Sequence, residues 1–113
     1  MAQLTHNLMR DGSRCFLTLR PGADWYAVRD HVSRLEGAEL TRFITDDVTE
    51  AWIDFLYVGH KFSINDAPGD YWFFVTDPSC TDAILNVVAA HFSNLLEPEE
   101  LPSNTSLERT RGR

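Results

Sequence analysis

Apolar and polar positions alternate along this chain in short segments that predict both strands and helices. The run 14–20 is typical of a strand, and Pro21-Gly22 ends it. Asp24 follows as a helix cap, and the spacing of the next apolar residues predicts a helix from there to about Glu36. Those residues recur every three to four positions and share one face: Trp25, Val28, Val32 and Leu35.

The middle of the chain predicts four further strands. The segment 39–45 favours a strand, and a polar break separates it from three runs rich in aromatic and β-branched residues, at 51–58, 61–65 and 71–75. Gly59-His60 is predicted as the turn between the first two of these runs, and residues 66–69 as the next turn. The last run is apolar on both faces, which indicates an interior strand.

A second helix closes the predicted fold. Asp77-Pro78 is a typical helix start, and an apolar stripe continues from there to Glu97. The resulting order, β-α-β-β-β-β-α, predicts an α+β fold. We expect a two-layer sandwich in which both helices cover one face of an antiparallel sheet of about five strands.

The chain of 113 residues is expected to contain a single domain. We place it at residues 13–97, between an N-terminal extension at 1–12 and a mobile C-terminal tail at 98–113. The opening residues lack the order of a signal peptide, and no apolar stretch has the length of a membrane span. These observations predict a cytoplasmic protein that does not cross a membrane.

The face of the sheet without helices is expected to carry aromatic side chains. Because alternation sends half of each strand to either face, Tyr57, Tyr71, Phe73 or Trp52 can lie there, depending on a register that the sequence leaves open.

The charge of the chain favours a basic or amphipathic protein partner. The net charge is −7, and residues 43–96 hold eight acidic residues against one basic residue, Lys61. Such a surface repels phosphates, so nucleic acid is not an expected ligand. The partner-binding candidates combine acidic and aromatic residues: Asp46, Asp47, Glu50, Asp54, Trp52, Tyr57 and Tyr71. The same carboxylates are also compatible with a solvated loop or a cation site.

The residues that offer reactive or metal-binding chemistry are scattered. His60 is a candidate ligand with Asp66 or Asp70, although the strand between them separates His60 from the next turn. Cys80 lies near the predicted start of the second helix, where the helix dipole lowers a thiol pKa. No sequence motif for nucleotide, metal or hydrolase chemistry is present, so we assign no catalytic residue, metal or cofactor.

One block of the chain carries a resemblance. Its pattern is Gly59-His60-x-Phe62-x-Ile64-Asn65, then Gly69-x-Tyr71-Trp72-Phe73-Phe74-Val75, then Asp77-Pro78-x-Cys80. The block, within residues 51–96, resembles a group of short bacterial proteins to which no function is attached. The resemblance therefore implies no activity, cofactor or site residue.

The leading functional hypothesis is a non-enzymatic protein-interaction module, of a regulatory or immunity type, that uses an acidic and aromatic surface. Two alternatives remain open from the sequence. The first is a small ligand- or metal-binding domain that uses His60 with Asp or Cys neighbours, with or without weak catalysis. The second is a homodimer with a structural role.

Overall fold

A computed structural model describes residues 4–46, 48, 51–66 and 70–98 of the chain. For residues 97 and 98 it describes the backbone only. Its elements follow in chain order: β1 (Asn7–Leu8), β2 (Arg14–Arg20), α1 (Trp25–Val32), β3 (Glu39–Thr45), β4 (Ala51–Tyr57), β5 (His60–Asn65), β6 (Tyr71–Val75), α2 (Asp82–Ser93) and β7 (Glu97–Pro98). The predicted α+β class is confirmed, and the five predicted strands are all present, as β2 to β6.

The strands form one antiparallel sheet with the order β1-β2-β6-β5-β4-β3, and β7 also pairs with β2. β6 lies between β2 and β5, as its two apolar faces predict. β3 forms one edge, and a β-bulge between Leu40 and Arg42 interrupts its pairing with β4. A second bulge between Cys15 and Leu17 shifts the register of β2.

Both helices contribute to a single hydrophobic core against one face of the sheet. Val28 and Val32 come from α1, and Leu85, Val88 and Phe92 come from α2. They pack with large side chains of the sheet, among them four almost completely buried phenylalanines: Phe16, Phe55, Phe62 and Phe73. Burying each such side chain contributes about 1.5–3 kcal/mol, so this core is the main source of stability. No helix among the described residues is long and apolar enough to span a membrane.

The N-terminal segment, which the sequence predicts as an extension at 1–12, contributes a strand. β1 pairs with the start of β2, and the guanidinium of Arg14 donates two hydrogen bonds, of 2.9 and 2.7 Å, to the carbonyl of Thr5. Arg14 is 6% exposed and lies 3.5 Å from the carboxylate of Asp82 in α2. One buried cation therefore joins the N-terminal segment, the sheet and the second helix. Most of the predicted tail lies outside the described residues.

Several predicted boundaries differ from the observed ones. Asp24 caps α1 as predicted, accepting a hydrogen bond from the Ala27 amide at 2.8 Å, but the helix ends at Val32 rather than near Glu36. The predicted start of the second helix is wrong, because Asp77 closes a turn with Ser79 and Cys80. Thr81 occupies the N-cap position of α2 instead, without a capping hydrogen bond from its side chain.

The turn between β4 and β5 also lies one residue earlier than predicted. Tyr57 pairs with His60, so Val58 and Gly59 form the turn and His60 belongs to the strand. Both turn residues have positive φ angles, 51° and 77°. A two-residue type I′ turn requires positive φ at both positions, and its twist matches that of the strands.

Candidate binding site on the open sheet face

The face of the sheet opposite the helices presents a second set of side chains. In β4 to β6 the positions that alternate with core residues carry Trp52, Asp54, Ser63, Trp72 and Phe74, all partly or fully exposed. The strand register places Asp54, Ser63 and Phe74 in one cross-strand row. Trp52 and Trp72 flank Asn65 in the next row. We call this surface the open face.

Trp52 and Phe74 form the aromatic centre of the open face. Their rings are stacked, with the centroids 6.1 Å apart and an interplanar angle of 29°. Trp52 remains 39% exposed, and its β3 neighbour Ile44 is 50% exposed. Large apolar side chains that stay this exposed together are typical of a binding surface.

A cavity of about 290 Å³ lies beside this aromatic pair. Its lining combines apolar and hydrogen-bonding side chains: Met9, Asp11, Ser13, Trp52, Ser63, Phe74 and Thr76. We call it the hairpin cavity, because three of these residues belong to the loop between β1 and β2. Its volume is just below the range of roughly 300–1,000 Å³ of pockets for drug-sized ligands, so it suits a small group or one side chain.

Local hydrogen bonds fix the conformation of the loop between β1 and β2, which lines one side of the hairpin cavity. The amide of Met9 donates to the carbonyl of Ser13 at 2.8 Å, and the amide of Gly12 donates to the carbonyl of Met9 at 3.1 Å. Asp11 Oδ1 accepts hydrogen bonds from the hydroxyl and the amide of Ser13, at 2.7 and 2.9 Å. The Ser13 hydroxyl and then its amide lower the pKa of the Asp11 carboxyl, which is therefore anionic at neutral pH.

A neighbouring depression of about 460 Å³ shares Ser63 and Thr76 with the hairpin cavity, but its electrostatics differ. Arg42 and Lys61 line it, and Arg42 forms an ion pair with Asp54 at 3.0 Å. The other oxygen of Asp54 accepts a hydrogen bond from the Ser63 hydroxyl at 2.8 Å. The carboxylate in this depression is thus already neutralised, in contrast to that of Asp11.

The acidic partner-binding candidates divide between the open face and the loop before it. Asp54 lies on the open face, whereas Asp46 follows β3 and is exposed. Asp46 Oδ1 accepts a hydrogen bond from the amide of Val48, whose side chain is 80% exposed. Asp47 and Glu50 lie outside the residues that the structure describes.

Of the aromatic candidates, Trp52 lies on the open face and the two tyrosines do not. Tyr71 is 3% exposed, packs in the core and donates a hydrogen bond from its hydroxyl to the carbonyl of Ala23 at 2.7 Å. Tyr57 is partly buried against the same core, and Phe73 is 1% exposed within it. The register therefore turns Tyr57 and Tyr71 toward the helices rather than onto the open face, and of the two only Tyr57 keeps some exposure.

The ligand candidates around His60 are not brought together. His60 and Asp66 lie at opposite ends of β5, and Asp66 accepts a hydrogen bond from the amide of Ala51 at 2.8 Å. His60 instead lies near Asp77, where it helps to lower the pKa of that carboxyl, after the larger effect of the Ser79 hydrogen bonds. Asp70 precedes β6. Among the described residues, no three histidine, cysteine or acidic side chains form a group that could hold a metal ion.

Cys80 does not have the environment of an activated thiol. It is 4% exposed and precedes Thr81, the residue that caps α2. Burial, and to a smaller extent the charge of Asp77, raises the pKa of its thiol, the reverse of the shift expected from its position near a helix start. Its sulfur contacts the carbonyl of Thr81 at 3.9 Å. Nothing in this geometry supports nucleophilic chemistry at Cys80.

Sequence reasoning missed most of the cavity. Met9, Asp11 and Ser13 belong to the predicted extension, and Ser63 and Thr76 carry no distinctive pattern. Asp11-Gly12 is a turn signal that, next to the strand at 14–20, predicts a hairpin. The sequence does not show whether Phe74 faces the core or the open face, because both faces of β6 carry aromatic side chains. Comparison of the chain with protein-family models, curated proteins and solved structures gives no significant match.

Proposed function

We propose that this chain is a non-enzymatic interaction module that binds a basic or amphipathic protein partner through the open face of its sheet. The observation that carries this proposal is the stacked pair Trp52 and Phe74, which lies on the face that neither helix covers. Aromatic side chains at the centre of a surface supply most of the binding energy in many protein interfaces.

The surroundings of the aromatic pair support a partner with both apolar and basic groups. Ile44, which pairs with Trp52, extends the apolar area to β3, at the end of which Asp46 follows. The net charge of −7 attracts a basic partner over long distances and speeds its association. An amphipathic partner meets both requirements, since its apolar side contacts the aromatic centre while its basic groups approach the acidic surroundings.

The proposal is tested by affinity capture from the native host with wild-type protein and two matched variants. Trp52→Ala removes the aromatic centre, whereas Val87→Ala changes an apolar residue that is 43% exposed on α2. We expect a stoichiometric companion to be retained by wild type and Val87→Ala and lost by Trp52→Ala. Equal capture by all three proteins, after circular dichroism shows that each is folded, would overturn the assignment of the open face.

The acidic part of the proposal has its own test. Reversal of Asp46, Asp47 and Glu50 to lysine should slow association with the same companion and reduce the dependence of binding on salt. Unchanged kinetics at low and at physiological ionic strength would remove this acidic segment from the interface.

A further inference from the structure

The hairpin cavity differs from the rest of the open face in its charge. Asp11 is the charged residue in its lining, and none of the described residues that line it is basic. One oxygen of the Asp11 carboxylate accepts both hydrogen bonds from Ser13, and no basic side chain in the described part of the chain forms an ion pair with this carboxylate. The cavity therefore combines an unneutralised anion with aromatic walls.

Hydrogen-bond acceptors and flat apolar surfaces both occur in this lining. Ser63 and Thr76, which carry hydroxyl groups, line the cavity, and Trp52 and Phe74 supply aromatic rings. A planar cation that carries several N–H donors matches this combination. Its face stacks on an aromatic ring while its edge donates to carboxylate and hydroxyl oxygens.

We propose that the hairpin cavity binds the guanidinium group of an arginine side chain carried by the protein partner. This inference rests on the proposed function and names the group by which the open face recognises its partner. Arginine fits better than lysine because a guanidinium is planar, stacks on aromatic rings and presents five donors, whereas an ammonium is a compact, strongly hydrated charge. Lys61 and Arg42 lie in the neighbouring depression, which therefore lacks the same preference.

The cavity is tested with N-acetyl-L-arginine amide as the probe and the neutral isostere N-acetyl-L-citrulline amide as its control. Chemical-shift changes are followed in ¹H–¹⁵N spectra of the full chain. We expect the arginine compound to give saturable shifts of the Trp52 indole and of the Ser13 and Ser63 amides. The citrulline compound should not saturate over the same range, because it keeps the shape and loses the charge.

The chain offers a matched pair of variants for the carboxylate. Asp11→Asn removes the charge but retains an oxygen that accepts from Ser13, so the loop keeps its hydrogen bonds. Asp77→Asn makes the same change in an equivalent turn, where Asp77 Oδ1 accepts from the Ser79 amide and hydroxyl at 2.9 and 2.7 Å. Asp77 does not line the cavity. Asp11→Asn should weaken arginine binding about threefold, and Asp77→Asn should leave it unchanged.

Loss of the aromatic wall should have a larger effect. Trp52→Ala is expected to weaken binding of the arginine compound about fivefold, because it removes the cation–π contact and the stacking surface. Equal binding of the arginine and citrulline compounds, or equal losses in Asp11→Asn and Asp77→Asn, would overturn the inference.

Failure of this inference and failure of the proposed function give different results. Partner capture that depends on Trp52, without a saturable response to the arginine compound, overturns the arginine site and leaves the interaction module standing. A specific response to arginine without a stoichiometric companion overturns the interaction module. A concentration-dependent dimer in light scattering that the arginine compound dissociates would identify the donor as a second copy of this chain and overturn its assignment to a different protein.

Discussion

His31 and His91 form a reciprocal pair that joins the two helices. Their imidazole rings are stacked, with the centroids 3.9 Å apart and an interplanar angle of 18°. His31 Nε2 donates to the carbonyl of His91 at 2.8 Å, and His91 Nε2 donates to the carbonyl of His31 at 2.7 Å. Since a carbonyl only accepts, both rings carry a proton on Nε2, and a second proton on both rings would place two positive charges in contact.

This pair predicts that the protein loses stability as the pH falls below about 6.5. Burial lowers the pKa of His91 below its usual value of 6.5, the hydrogen bond to the His31 carbonyl partly opposes this shift, and the charge of His31 adds a smaller lowering. The unfolded chain then binds the proton more tightly, so the stabilisation is complete above pH 6.5 and is lost progressively as the pH falls from 6.5 through the lowered pKa of His91 in the folded protein. The free energy of unfolding, measured in urea at pH 7, 6 and 5, should decrease over this series.

The variant His91→Gln tests whether His91 causes the pH dependence of the free energy of unfolding. A glutamine amide retains a donor for the His31 carbonyl but does not titrate, so the slope between pH 7 and 5 should become smaller than in wild type. His6→Gln, a change at an exposed histidine in the N-terminal segment, should retain the wild-type slope. Identical slopes in wild type and His91→Gln would show that the pair does not control acid stability.

Val58→Asn should stabilise the protein. Val58 has a φ angle of 51°, which a β-branched residue adopts only at a cost of about 1–2 kcal/mol. Asparagine tolerates this conformation and, with Gly59, completes the sequence that type I′ turns prefer. We expect a gain of about 1 kcal/mol in the free energy of unfolding, measured by urea denaturation.

A matched substitution separates turn conformation from the loss of an exposed apolar side chain. Val87 is exposed in α2, where valine and asparagine have similar helix propensities. Val87→Asn should therefore change stability by much less than Val58→Asn. A Val58→Asn protein that is no more stable than wild type would refute the attribution of strain to this turn.

Tyr71→Phe should destabilise the protein by about 1 kcal/mol. The change removes the hydrogen bond to the Ala23 carbonyl, which fixes the segment before α1 to β6, and leaves a partly buried acceptor unpaired. Tyr57→Phe is the control, because the Tyr57 hydroxyl has no hydrogen-bond partner among the residues that the structure describes. Thermal unfolding of both variants measures the difference, and equal melting temperatures would contradict this role of Tyr71.

Both cysteines should react slowly with thiol reagents in the folded protein. Cys15 is 1% exposed and Cys80 is 4% exposed, and burial raises the pKa of each thiol. We expect modification by 5,5′-dithiobis(2-nitrobenzoate) at pH 8 to proceed at a small fraction of its rate in denaturant. Mass spectrometry assigns the modified residue. Rapid modification of Cys80 alone in the native state would restore it as a candidate nucleophile.

The fold was predictable where local patterns agree with tertiary packing. Asp24 begins a helix because its carboxylate caps free amides and the next apolar residues share one face. Asp77 has the same sequence pattern of a helix cap but does not begin a helix, because its carboxylate accepts hydrogen bonds from Ser79 within a turn. An aspartate carboxylate can accept hydrogen bonds from backbone amides at a helix N-terminus or in a turn. Which of the two structures forms depends on how the following residues pack into the core.

The site was less predictable because it depends on strand register. In β6 both alternating sets are aromatic, so burial preference does not decide between Tyr71 and Trp72. Pairing of Phe73 with Ile64 and Leu17 fixes which set enters the core. β1 is only two residues long, which is too short to show an alternation of apolar and polar residues. The sequence therefore gives little indication of the loop that completes the cavity.

The loop between β1 and β2 shapes the cavity without contributing to the hydrophobic core. Met9, Asp11 and Ser13 form a wall of the cavity, yet none of them belongs to the hydrophobic core. Substitutions at surface positions of this kind usually change stability by less than about 0.5 kcal/mol. The side chains of this loop can therefore change without repacking the interior, except at Gly12, whose φ angle of 91° favours glycine. The shape and charge of the cavity can thus be altered by substitutions in one short loop.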